Sequence, residues 1–145
     1  MNKIISSTFI IVFSLMANTL FAQQIDKEQR KIFQTDNVEA FKRVFSQTDF
    51  NKCLMVKENS FDLLSYSVKY ERKNIFNFLL GKTSDINRIC GDQSPLMVAA
   101  RYGKTDMAKT LLQKGANKTL KNAAGETAKD LAVKYEKPAL VEILK

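Results

Sequence analysis

The chain is 145 residues long, carries 23 Lys and Arg against 15 Asp and Glu, and contains two Cys, no His and no Trp. That length suits one ordinary domain, and the balance of apolar to charged residues is that of a globular chain rather than a disordered or multi-span membrane one. Without His there is no Ser-His-Asp or Cys-His nucleophile pair, no imidazole base and no His-ligated zinc, and two cysteines cannot build a four-thiolate metal site.

Met1-Asn2-Lys3 is a short basic start, Ile4 to Met16 is mainly Ile, Phe, Val and Leu, and Ala22 precedes Gln23-Gln24. This is the three-part pattern of a secretory leader, residues 1–22, with cleavage after Ala22. Leu20, three residues before the cut, departs from the small-residue rule and blurs the exact site. An uncleaved membrane anchor is the competing reading. Ser6, Ser7, Thr8, Ser14, Asn18 and Thr19 dilute the stretch and no basic cluster directly follows it, which favours the leader. The expected location is periplasmic or secreted, with the anchored form as the alternative. Lys3 is the leader's one charge, so the mature chain, residues 23–145, keeps +7 of the formal +8. Such a charge favours acidic partners or anionic surfaces. Export argues against nucleic acid as the intended partner.

In chain order, helical spacing covers Lys27 to Thr35 and Val38 to Phe45, closed by Asp49-Phe50-Asn51. Val68-Lys69-Tyr70 comes next, then Ile75, Phe78 and Leu79, closed by Thr83-Ser84-Asp85-Ile86-Asn87. Ser94-Pro95-Leu96-Met97-Val98-Ala99-Ala100-Arg101-Tyr102-Gly103 leads to Met107, Leu111 and Leu112 and then Gly115-Ala116-Asn117. Thirty-three residues after Ser94 comes Thr127, preceded by Gly125-Glu126, and this last unit runs through Lys134-Tyr135 to Leu140 and Leu144. The apolar positions recur at three and four residues, which predicts the buried stripe of a helix in every unit. Pro95 suits a first helical position and Gly103 and Gly115 suit left-handed helix ends. No single unit can bury its stripe, so the units must stack.

These motifs resemble the ankyrin repeat, whose signature runs Gly-x-Thr-Pro-Leu-His-x-Ala-Ala-x-x-Gly and then Leu-Leu-x-x-Gly-Ala-Asp. The match is close from Ser94 onward and degenerate before it: Asp62 and Leu63 stand for Thr-Pro, and Glu71 for the helix-ending Gly. The resemblance implies an all-α solenoid of about four helix-turn-helix units with short finger loops, roughly residues 24–51, 52–87, 88–119 and 120–145. The family's His is Ser65, Met97 and Asp130 here, so the hydrogen bonds it makes between repeats must be missing or replaced.

The resemblance also implies a non-enzymatic module that binds a protein on a concave face made by finger loops and inner-helix ends, as a monomer when free. The helix ends read Lys69-Tyr70, Arg101-Tyr102 and Lys134-Tyr135. They form either a binding stripe for an acidic protein surface or scaffold that packs over the next helix. Arg88, Asp92, Gln93, Lys118, Lys121, Asn122 and Glu126 flank the finger turns and are expected to project beyond the helices, where loops carry binding. Cys53 and Cys90 fall in the finger regions of adjacent units. Export favours a bridge between them; two separate thiols are the alternative if those points lie too far apart. A narrower form of the functional reading is a periplasmic inhibitor or immunity protein that occludes an enzyme or toxin. The contrasting class is an enzyme working with Asp, Glu or Lys, but Asp62, Asp85, Asp106, Glu126, Asp130 and Glu142 are scattered one per element. No cofactor or metal motif is present, and no catalytic residue is assigned.

Overall fold

The computed structural model describes residues 24–145, so the leader expected at residues 1–22 lies outside the described residues. Among them, eight helices form four pairs, each joined by a turn of two or three residues. The pairs are α1 (Lys27–Gln34) with α2 (Val38–Val44), α3 (Leu63–Lys69) with α4 (Lys73–Leu80), α5 (Pro95–Tyr102) with α6 (Thr105–Gln113), and α7 (Ala128–Lys134) with α8 (Pro138–Ile143). Inner helix α3 packs on α5 and α5 on α7, while the outer helices meet as α2 on α4 and α6 on α8. This is the stacking order of a helical solenoid.

Local chemistry starts and stops these helices. Every inner helix opens on a side-chain cap: Asp26 before α1, Asp62 before α3, Ser94 before α5 and Thr127 before α7. Each cap satisfies a backbone N–H that has no partner inside its helix. Asp26 and Gln29 bond reciprocally, as do Thr127 and Asp130, so Asp130 at the family's His position is a capping residue. The inner helices of the first, second and fourth pairs are followed by Asp36, Glu71 and Glu136 at φ 53, 56 and 55°, where the third has Gly103 at 70°. Glu71 therefore adopts the left-handed geometry of the glycine it replaces.

Burial follows the predicted stripes with one refinement. Ile75, Leu79, Met107, Leu111 and Leu140 are buried, as are Ala99 and Ala100, whose small side chains let α5 lie close to its neighbours. Phe78 and Leu112 only pack against the edge of that core. In the first pair large rings take over: Phe33 lies 4.6 Å from Tyr66 and 5.9 Å from Phe41, and Phe41 is 5.8 Å from Phe50. Such contacts add about 0.5–1.5 kcal/mol each beyond their area.

A hairpin interrupts the all-helical expectation. β1 (Leu54–Val56) pairs antiparallel with β2 (Asn59–Phe61), Leu54 opposite Phe61 and Val56 opposite Asn59. Leu54, Val56 and Phe61 turn inward, and the turn is Lys57-Glu58, with Lys57 at φ 57°. The Ile25 N–H donates to the Met55 carbonyl at 2.9 Å, which pairs the outer edge of β1. The next finger is a tight turn through Gly91 and Asp92, both left-handed, with Cys90 and Gln93 bonding each other at 3.1 Å in both directions. A Cβ on Gly91 would collide with the Ser60 carbonyl, so this finger lies directly against β2.

Polar ties at other positions link the units. The Asn51 Oδ1 accepts from the Ser84 N–H at 2.7 Å, the Asn87 Oδ1 from the Asn117 N–H at 2.7 Å, and the Asp92 Oδ1 from the Ala123 N–H at 2.7 Å. Asp36 accepts from the N–H groups of Asn74 and Ile75, and Lys104 pairs with Glu71 at 2.9 Å. Ser65 and Met97, at the other two His positions, are buried in the core.

Candidate functional site

The C-terminal ends of α3, α5 and α7 lie side by side because those helices stack, and this brings the three basic-Tyr pairs into one row. The Lys69 ammonium is 5.4 Å from the centre of its own neighbour, Tyr70, and 5.2 Å from Tyr102 in the next unit. The Arg101 guanidinium is 5.6 Å from Tyr102 and 4.9 Å from Tyr135. Cation and ring therefore alternate along the stack as Tyr70, Lys69, Tyr102, Arg101, Tyr135. Each cation within about 6 Å of a ring face is attracted by the ring quadrupole. Lys134 closes the row and pairs instead with Glu126 at 2.7 Å. Lys69, Arg101, Tyr102 and Tyr135 are half-buried, whereas Tyr70 and Lys134 are exposed. The contact with Lys134, then the amide of Asn122, hold the Glu126 carboxyl below its ordinary value, and Glu126 in turn raises Lys134.

The finger residues divide. Lys121 is exposed beside the turn, and Gln93 is half-buried in the Cys90 finger. Glu126 does not project freely: its N–H bonds the Asn122 side chain at 2.8 Å and its carboxylate accepts from that same side chain at 3.0 Å, closing the finger. Asp92 is spent on the Ala123 N–H. Arg88 turns inward, half-buried with its Nε enclosed and unpartnered. The charge of Arg88 acts on Asp62, whose carboxyl burial raises from 3.8 to about 6 against the opposing effects of Ser65 and then Arg88.

Cys53 and Cys90 are joined in a disulfide with Cα atoms 5.5 Å apart, inside the range a bridge needs. The hairpin makes this possible, because it carries Cys53 to the base of the next finger. Among the described residues no group of three or more His, Cys, Asp or Glu could hold a metal ion. The scattered carboxylates instead cap helices and pair with lysines: Asp62 and Asp130 cap, Glu126 pairs with Lys134, and Glu142 with Lys145. No helix among the described residues is long and apolar enough to cross a membrane.

A family model described as Ankyrin repeats (3 copies) matches residues 64–145, more than half of the chain. The chain belongs to the ankyrin repeats. No curated protein matches it. Ankyrin repeats mediate protein–protein interaction and are interaction modules rather than enzymes, and the basic-Tyr row lies wholly within the matched units.

One part of this surface escaped the sequence reading. Lys27, Arg30, Lys31 and Lys57 join Lys69 and Tyr70 around a cleft of about 570 Å³ between α1, the hairpin and the end of α3. The spacing of 27, 30 and 31 on one helical face was legible. Their meeting with Lys57 and Lys69 was not, because it depends on where the hairpin turns back.

Proposed function

We propose that this ankyrin stack is an exported protein-binding module, periplasmic or secreted, that docks an acidic surface of a partner protein on its inner-helix face and fingers. The observation that carries the reading is the alternation of Lys69 and Arg101 with Tyr70, Tyr102 and Tyr135 across three units. The rings hold both cations in place without neutralising them, so the row offers ordered positive charge at low entropic cost to an incoming acidic surface. The same contacts stiffen the scaffold, and the two roles are compatible. The leader pattern at residues 1–22 supports export.

Crosslinking in the native cell followed by mass spectrometry tests the reading. The expected result is a stoichiometric protein partner whose capture falls with rising salt and with K69E/R101E/K134E. Loss of salt sensitivity, or full capture by that variant, would sink it. An inhibitor or immunity protein is the narrower form of the same reading. It is separated by one measurement: whether the captured partner is an enzyme or toxin that loses activity in the complex.

A further inference from the structure

We infer that the cleft between α1, the Leu54–Phe61 hairpin and the end of α3 receives a carboxylate-rich peptide segment of that partner. The inference rests on the proposed function and adds where, on this chain, the acidic part of the partner is seated.

Five cations line the cleft, Lys27, Arg30, Lys31, Lys57 and Lys69, and no carboxylate does. None of the five makes an ion pair among the described residues, whereas Lys42, Lys52, Lys104 and Lys134 are each paired with a carboxylate. Like charges gathered in a concave site repel one another, and a low-dielectric wall focuses their field. An anionic ligand relieves that repulsion, so the cleft gains more from an acidic segment than a flat lysine-rich surface would.

Two of the cations are held in position. The Arg30 Nη1 donates to the Ile25 carbonyl at 3.1 Å, and the Lys69 ammonium lies 4.7 Å from the Phe61 ring and 5.2 Å from Tyr102. Lys57 is carried to the rim by a left-handed backbone at φ 57°. Lys27 and Lys31 stand free on the exposed face of α1. Lys69 also begins the basic-Tyr row, so cleft and row form one continuous surface. Lys27, Arg30, Lys31 and Lys57 all precede the matched family units, so four of the five cations come from the part of the chain outside the family match.

The rings argue for a peptide over a polynucleotide. Single-stranded nucleic acid needs open aromatic faces on which successive bases stack. Here Tyr66 and Phe61 are only 4% and 8% exposed, and Tyr70 alone, at 41%, presents a ring to solvent.

The test uses the chain from Gln23 onward, fluorescein-labelled hexaglutamate and, as a second probe, a labelled oligothymidylate of equal charge. Three proteins are compared by fluorescence anisotropy: the parent, the cleft variant K27E/K31E/K57E, and the charge-matched control K82E/K109E/K114E on the opposite, outer-helix side. Circular dichroism melts establish that each is folded, and K27Q/K31Q/K57Q replaces the cleft variant if charge reversal impairs folding. The expected result is hexaglutamate binding that weakens with salt, falls at least tenfold in the cleft variant and changes about twofold or less in the control. Equal losses in both variants would reduce the effect to net charge and overturn the inference. Tighter, cleft-dependent binding of oligothymidylate would overturn it in favour of a polynucleotide surface. Partner capture separates this inference from the reading beneath it. Capture that K27E/K31E/K57E leaves intact but K69E/R101E/K134E abolishes rejects the cleft alone, whereas capture insensitive to both rejects the inner face as well.

Discussion

The guanidinium of Arg101 lies 4.9 Å from the centre of the Tyr135 ring, one repeat further along, and the ammonium of Lys69 stands in the same relation to Tyr102 at 5.2 Å. Because each contact crosses an interface between units, the row couples neighbouring repeats as well as displaying charge. In a solenoid, stability is roughly a sum of unit and interface contributions, so such contacts act directly on the interface contributions. R101A and Y135A, alone and together, should show a coupling of about 0.5–1 kcal/mol in urea unfolding. Strict additivity would mean that the two side chains are neighbours without being partners.

The disulfide gives a second expectation. Cys53 and Cys90 close a loop with a sequence separation of 37 residues. The chain-entropy model assigns such a loop about 3–4 kcal/mol, an upper figure. Thiol titration of the unreduced protein should find no free cysteine, and C53S/C90S should lower the unfolding free energy by up to that amount while leaving the helical circular dichroism intact. An unchanged midpoint would mean that the packing of Gly91 on Ser60 already holds the finger.

Asp62 sets a pH dependence. Burial raises its carboxyl from 3.8 to about 6, with Ser65 and Arg88 opposing and Asp85 adding slightly to the rise. Between those values the folded protein binds more protons than the unfolded chain, so stability falls as pH rises through roughly 4 to 6. The group then remains ionised, buried and half-partnered at neutral pH, at a cost on the order of 3 kcal/mol. D62N keeps an oxygen for the Ser65 N–H and removes the titration. Urea unfolding at pH 4.5 and 7.5 should therefore show a shallower loss on going to pH 7.5 for D62N than for the parent. A parent slope equal to that of D62N would mean that Arg88 neutralises the carboxylate in solution.

Two glycines separate backbone strain from packing. Gly91 and Gly125 both have positive φ, at 55 and 76°, but a Cβ at Gly91 meets the Ser60 carbonyl and one at Gly125 meets nothing within 4 Å. G125A should cost about 1 kcal/mol, the penalty of a left-handed L-residue, and G91A about 2 kcal/mol or more. Equal costs in thermal melts would show that the Cys90 finger moves away from the hairpin without penalty.

Much of the architecture was legible in the residues. The recurrence of Leu79, Leu111 and Leu144 reports helix stacking because burying one stripe per unit needs a neighbour, and Pro95 and Gly103 mark their helix ends through constraints that act within a few bonds. The pairing of Lys69, Arg101 and Lys134 with tyrosines was visible as a repeated dipeptide, since equivalent positions in a solenoid must align. Local sequence does not encode the rest. Asn51, Asn87 and Asp92 tie to backbone about 30 residues away, and Arg88 is half-buried with its Nε enclosed instead of projecting outward. The hairpin hides in Leu54-Met55-Val56, a run too short for its period to declare, and becomes a strand only where Phe61 and Ile25 supply partners. Its turn carries Lys57 toward Lys27 and Lys69, and brings Cys53 within 5.5 Å of Cys90. Helix period and capping are properties of neighbours along the chain. A charged cleft and a disulfide are properties of segments that meet only after the core has formed, and only the tertiary structure decided them.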